Sequence, residues 1–431
     1  MSQLSDVDFM LHSKAEGLFR EPLPSHLETF SFNPKRAFSD YLEHAYLQLT
    51  QTNPRAHLPC PLSTATYQQL VAQGDRNNNP HIVDLIAPFE LRQNNNHKAV
   101  LLIHGLTDSP FTFHDLAQVY FQQGYSVRTI VLPGHGSAAG ALKHISADDL
   151  QQATDYAITR TLADYEQVLL GGYSMGAALL IDHLTKQPVS NKITGLMLFS
   201  PASEPHNKHG WLAKWLDFIP FVDWIDKDTD LDFAKYESFP LQAAAVSHEL
   251  MSRISIKQLA QRVLPNLAIF ATFSDIDTTI DNQATFTLLN ALHAPRTRPN
   301  NSLSRIFYFA EQATPPHILS RDYSVVTAQC NNSLCANIKG MSHIAIVNKP
   351  SNPYYGAQGI YRNCGSYLDD DTLFKACKTT ADIVIGERTA ANLTRYQPFA
   401  RLTFNPYFEQ LKEQIIIFTD SLATAPVTTN E

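Results

Sequence analysis

From residue 98 onward, short apolar runs alternate with longer amphipathic stretches. KAVLLI (98–103), YSVRTIVL (125–132), QVLLGG (167–172) and ITGLMLF (193–199) read as strands buried on both faces. Between them, residues 111–122, DDLQQATDYAITRTLADY (148–165) and SMGAALLIDHLTK (174–186) carry helical spacing. The first of these is opened by Ser109-Pro110, a cap followed by a first-turn proline. Strands and helices alternating at this length predict right-handed crossovers and a mostly parallel sheet. Ahead of the series, AFSDYLEHAYLQL (37–49) predicts an amphipathic helix. HIVDLIAPFEL (81–91), set between Asn-rich stretches, predicts a strand.

The rhythm stops near residue 203. Residues 203–261 read as helical and rich in aromatics, and NLAIFATF (266–273) then resumes the strand pattern. SRIFYFA (304–310) and YSVVTAQ (323–329) compete as the last core strand. Residues 351–404 fit no simple pattern, whereas FNPYFEQLKEQIIIFTDSL (404–422) predicts a closing helix. The chain is thereby divided into an N-terminal extension (1–80), a first core segment (81–202), a helical cap (203–261), a second core segment (262–350) and a C-terminal extension packing on the core (351–431).

Composition narrows the partners. With 431 residues, 44% of them hydrophobic, the chain can bury a large core. Its 33 basic and 41 acidic residues give a net charge of −8 and form no basic stripe, which excludes a nucleic-acid surface. No stretch of 18 apolar residues occurs, so no membrane-spanning helix is expected. The N-terminus lacks the apolar core of a secretory signal, and a cytoplasmic location is the expectation. Of the five cysteines, Cys60 stands alone, while Cys330 and Cys335, and Cys364 and Cys377, lie near each other. Free buried thiols are the simplest reading. Two local disulfides in an oxidising compartment are the alternative, and zinc is set aside because no Cys-x-x-Cys spacing occurs.

The candidate chemistry centres on Gly172-Tyr173-Ser174-Met175-Gly176, a G-x-S-x-G between a predicted strand and a predicted helix. That context suits a nucleophilic serine on a sharp strand-to-helix turn, with the amide of Met175 at the helix N-terminus facing a developing oxyanion. In LLIHGLTDSP (101–110), the amide of Leu106 can supply a second oxyanion donor, and His104 reads as a structural brace. LPGHGS (132–137) reads as a tight turn, lacks the spacing of a phosphate loop and does not make His135 a catalytic candidate.

An acid and a base must follow the serine. In TFSDIDTTID (272–281), Asp275, Asp277 and Asp281 compete; Asp277 is preferred because Thr278, Thr279 and Ile280 tuck the loop back under the fold. For the base, His343 in KGMSHIAIV (339–347) follows a glycine turn and is preferred to His317, which lies in PPHIL with no nearby glycine. No dinucleotide fingerprint and no metal-ligand spacing is present, so neither cofactor nor metal is expected.

Together, HGLTDSP, LPGHGS, GYSMG, SDIDTTID and GMSH resemble the bacterial carboxylesterase and monoacylglycerol-lipase branch of the α/β-hydrolase superfamily, which is serine aminopeptidase S33-like. The resemblance covers about residues 81–202 and 262–350. It implies an α/β-hydrolase fold, a mostly parallel sheet flanked by helices, with a helical cap inserted after the sixth core strand. It also implies Ser174, Asp277 and His343 as a catalytic triad, with Leu106 and Met175 as oxyanion donors. The long stretch from acid to histidine, and the roughly 80 residues after His343, depart from the family pattern. In the cap segment, Trp211, Trp215, Phe218 and Trp224 are candidates to line an acyl pocket or to make peripheral membrane contact. The expectation is hydrolysis of a small-molecule or lipid-like ester with a hydrophobic acyl group, with thioester, amide or peptide hydrolysis, or a non-catalytic binding role, as alternatives.

Overall fold

A computed structural model of the chain describes residues 3–94, 97–205, 223–262, 267–293, 303–310, 323–330 and 333–424. The apolar runs form an eight-stranded sheet. Its strands are β1 (Glu90–Leu91), β2 (Lys98–Ile103), β3 (Ser126–Ile130), β4 (Gln167–Tyr173), β5 (Ile193–Phe199), β6 (Ala268–Ser274), β7 (Arg305–Phe309) and β8 (Ser324–Thr327). They lie in the order β1-β3-β2-β4-β5-β6-β7-β8, with β1 antiparallel to β3 and every other pair parallel. Both candidates for the last strand therefore belong to the sheet, as β7 and β8.

Helices cover both faces, which is why the strands are apolar without alternation. Leu101, Ile103, Leu170 and Leu198 point into one core, with helices α1 (Phe38–Thr52), α3 (Ala147–Asp164) and α4 (Met175–Lys186). Val100, Leu102, Leu169 and Phe199 point into the other, with α2 (His114–Gln122) and α7 (Phe408–Thr424). α5 (Leu241–Arg253) precedes β6, and α6 (Asn282–His293) follows it.

Several expectations are corrected. HIVDLIAPFEL forms a short helix, Ile82–Ile86, and contributes only Glu90–Leu91 to the sheet. The Asp84 carboxylate accepts the His81 amide at 2.8 Å and starts the helix locally, and a short buried apolar run suits either state. The segment after ITGLMLF follows the fifth strand of this sheet in chain order, not the sixth. Where it is described, that segment is not wholly helical. Trp224–Asp226 pairs antiparallel with Phe239–Pro240 before α5 begins.

The patternless stretch 351–404 supplies Val384–Gly386 and Phe399–Arg401 to a small three-stranded parallel sheet completed by Ile338–Lys339. The free-thiol reading gives way here. Cys330–Cys335 and Cys364–Cys377 are disulfides, their Cα atoms 6.1 and 6.0 Å apart, while Cys60 is free and buried. Local turns and a helix (Asp371–Thr379) bring each pair within bridging distance, so the argument for a reducing compartment falls with that reading. Among the described residues no helix is long and apolar enough to cross a membrane.

Candidate active site

β4 ends at Tyr173 and α4 begins at Met175, leaving Ser174 alone on the turn with φ 51° and ψ −116°. The flanking glycines make that turn sterically feasible. A Cβ on Gly172 would lie 2.5 Å from the Ala177 backbone, and one on Gly176 would lie 2.0 Å from the Ile103 carbonyl oxygen. The Ser174 amide donates to Phe199 O at 2.8 Å, and its carbonyl accepts from Ala177 and Ala202. The serine is thus fixed at the carboxyl ends of β2, β4 and β5.

His343 and Asp277 meet Ser174 there. His343 Nε2 lies 3.0 Å from Ser174 Oγ, and His343 Nδ1 lies 2.6 Å from Asp277 Oδ2. The other oxygen of Asp277 accepts the amides of Thr279 at 2.7 Å and Ile280 at 3.0 Å. Burial alone pushes the Asp277 carboxyl up, but His343 and these two amides outweigh it and hold the carboxyl below its usual value. Neither competing aspartate is bonded to His343, whose Nδ1 meets Asp277. Asp281 Oδ1 accepts the Ala284 amide in the first turn of α6, and the Asp275 amide donates to Phe309 O in β7. His317 lies outside the described residues.

His104 is fully buried, its Nε2 accepting the Leu132 amide at 3.0 Å while Nδ1 faces Gly105 O at 2.8 Å. That donor fixes the neutral tautomer, and burial, with His135 beside it, holds the imidazole far below its ordinary pKa. The ring therefore ties the loop holding Leu106 to the turn after β3. His135 stacks on Tyr236, and burial pushes its pKa down to about 4.

Leu106, Met175, Ser174 and His343 line one cavity of about 490 Å³. Its apolar wall includes Ile225, Phe239, Met251 and Ile280, and its polar wall includes Asp226, Asp228, Asp232, Glu237 and Arg388. The segment after Trp224 contributes Ile225, Tyr236 and Phe239 to its lining. The Tyr236 amide donates to Thr107 O at 2.8 Å, and Lys235 Nζ meets Asp108 Oδ1 at 2.6 Å.

Of the four aromatic residues expected at this cavity, Trp211, Trp215 and Phe218 lie outside the described residues. Trp224 packs beneath the cations of Arg20 and Lys143, 5.9 and 5.0 Å from its ring, and Ile225 faces the cavity. Successive side chains of a strand face opposite sides, so the neighbours Trp224 and Ile225 meet different surroundings.

Sequence reasoning missed Glu387, Arg401 and Tyr173. The phenol of Tyr173 donates to His343 O at 3.0 Å, and Glu387 Oε2 accepts the His343 amide at 3.0 Å. Tyr173 lay inside the motif already singled out. Glu387 and Arg401 carry no motif and reach the site only through the pairing of the small sheet.

The described sheet, antiparallel at one edge and otherwise parallel with helices on both faces, has the α/β-hydrolase architecture, and Ser174, His343 and Asp277 lie in hydrogen-bonded series at its strand ends. Residues 94–227 match the family model described as serine aminopeptidase, S33, a span that ends before Asp277 and His343. Among solved structures, one of the metagenome-derived lipolytic enzymes LipS and LipT is similar at 17% identity, over 57% of this chain and 88% of that one, with a TM-score of 0.42. A monoacylglycerol lipase from Paleococcus ferrophilus is similar at 20% identity, over 52% and 89% of the two chains, with a TM-score of 0.41. A soluble variant of monoglyceride lipase from Saccharomyces cerevisiae is similar at 15% identity, over 51% and 79%, with a TM-score of 0.39. No curated protein sequence matches the chain.

Proposed function

We propose that the chain hydrolyses a carboxylic ester with a hydrophobic acyl group through an acyl-enzyme on Ser174. The observation that carries this is the unbroken hydrogen-bonded series Ser174 Oγ, His343 Nε2, His343 Nδ1, Asp277 Oδ2 at the floor of a partly apolar cavity. Ser174 Oγ attacks the ester carbonyl while His343 Nε2 takes its proton. The oxyanion forms beside the amides of Leu106 and Met175, donors whose individual loss typically lowers rate by about 10²–10³. Collapse expels the alcohol, which takes the proton back from His343. Water then attacks the acyl-enzyme, His343 again accepting and returning a proton. Asp277 holds the imidazole tautomer and stabilises the imidazolium.

A second reading is favoured by the carboxylates of Asp226, Asp228 and Glu237 on the same cavity wall. They would suit a cationic group beside the scissile bond, as in a peptide with a free N-terminus. Family similarity to serine aminopeptidases points the same way.

The test is intact-mass analysis after incubation with a fluorophosphonate, followed by turnover of p-nitrophenyl esters and of aminoacyl arylamides. One adduct on the wild type and none on Ser174→Ala, with faster turnover of butyl than of acetyl esters, is the expected outcome. Arylamide turnover without ester turnover would move the second reading to the front. A folded wild type that takes up no label would overturn both.

A further inference from the structure

We propose that Glu387, contributed by the C-terminal extension and fixed by Arg401, is a positioning residue for the His343 base. The proposal rests on the reading of Ser174, His343 and Asp277 as the reacting set.

The main chain of His343 is held at both ends. Its N–H donates to Glu387 Oε2 at 3.0 Å, and its carbonyl accepts from the Tyr173 hydroxyl at 3.0 Å. His343 opens a three-residue 3-10 turn, His343–Ala345, and the first N–H of a helical turn has no acceptor within it. Glu387 is fully buried, and Arg401 grips both its oxygens, at 2.9 and 3.0 Å.

The same pair reaches the acid loop. The Thr278 hydroxyl donates to Glu387 Oε1 at 3.0 Å, and Arg401 donates to Thr279 Oγ1 at 3.0 Å. One buried ion pair thus joins the loop carrying the base to the loop carrying the acid. Its own placement comes from the small sheet, where Gly386 pairs with both Lys339 and Arg401.

A buttress for a core would touch neither reacting loop. This one bonds the backbone of the base itself and both residues that follow Asp277. Catalytic hydrogen bonds tolerate displacements of only about 0.5 Å, so the ion pair sets how well His343 Nε2 meets Ser174 Oγ.

Removing Glu387 alone strands the Arg401 charge in the interior, and Glu387→Ala is expected to fold poorly. The informative variant is therefore the neutral apolar pair Glu387→Leu with Arg401→Met, which strands no buried charge and leaves no side-chain acceptor for the His343 N–H. Active sites are counted by fluorophosphonate titration, and kcat and KM for p-nitrophenyl butyrate are expressed per titrated site. The far-downfield proton of the His343–Asp277 hydrogen bond is followed by NMR.

The proposal predicts kcat per site lower by about 10²-fold with KM nearly unchanged, and a shifted or lost proton resonance. Wild-type kcat per site with the resonance in place, even with fewer titratable sites, would reduce Glu387 to a stability role and overturn it. If the wild type neither labels nor turns over esters, the ester-hydrolase reading fails separately. The resonance then decides this inference: an unchanged resonance in the neutral pair overturns it.

Discussion

A non-glycine residue at φ 51° costs on the order of 1–3 kcal/mol, and such conformations persist where the surroundings over-determine them. Ser174 meets that condition through three backbone hydrogen bonds. Electrostatics at the same scale makes Asp232 informative. Burial, reinforced by Glu237, pushes its carboxyl up to about 7, while the Ala234 and Lys235 amides and the Tyr355 hydroxyl donate to it. A carboxyl raised on folding binds more protons in the folded chain than in the unfolded one between about pH 4 and 7. Its contribution to stability is therefore present at low pH and is lost as pH rises through 7. Asp232→Asn keeps an acceptor for the two amides and cannot ionise. Its denaturation midpoint relative to wild type is expected to improve between pH 5 and pH 8 in urea titrations, and a pH-independent difference would contradict the account.

At the scale of elements, β4, the elbow and α4 act as one unit. Ala177 and Ala178 are fully buried against the sheet, and Gly176 lies close to the Ile103 carbonyl at the end of β2. An added methyl at 176 must push α4 away from β2, because backbone at 2.0 Å cannot be displaced by a rotamer change. Gly176→Ala is expected to lose about 1–3 kcal/mol of stability and nearly all fluorophosphonate labelling, since Ser174 and the Met175 amide move with the helix. Labelling at the wild-type rate in a folded Gly176→Ala protein would show that the elbow tolerates a wider crossing.

Over the whole molecule, the site is assembled from both halves of the sheet and from the C-terminal extension. The Cys364–Cys377 disulfide belongs to that extension, beside the cluster of Tyr367, Phe374, Ile383 and Phe399. Closing a loop of this length typically stabilises by about 2–4 kcal/mol. Cys364→Ser with Cys377→Ser is expected to lower the temperature at which ester turnover is lost, leaving Ser174 labelling intact at 20 °C, a temperature chosen well below mesophile unfolding midpoints of about 45–65 °C. Equal heat resistance of wild type and variant in scanning calorimetry would place the bridge outside the cooperative unit.

The local chain determined whatever depends on neighbours in sequence. Mainly apolar runs made β2, β4, β5 and β6 legible, because a strand covered on both faces is dominated by apolar residues. The G-x-S-x-G marked the elbow because its glycines answer steric limits within a few residues. Asp277 stood out because it follows a strand and is followed by a short step back under the fold, and His343 because it follows a glycine turn. Tertiary structure decided the rest. Whether residues 82–86 became helix or strand depended on the Asp84 cap and on partners elsewhere in the chain. Trp224 turned to Arg20 and Lys143 through contacts 204 and 81 residues away in sequence, which no local pattern encodes. Glu387 reached His343 across 44 residues because sheet pairing and a buried counter-charge placed it there, and such pairing is a property of the folded chain alone.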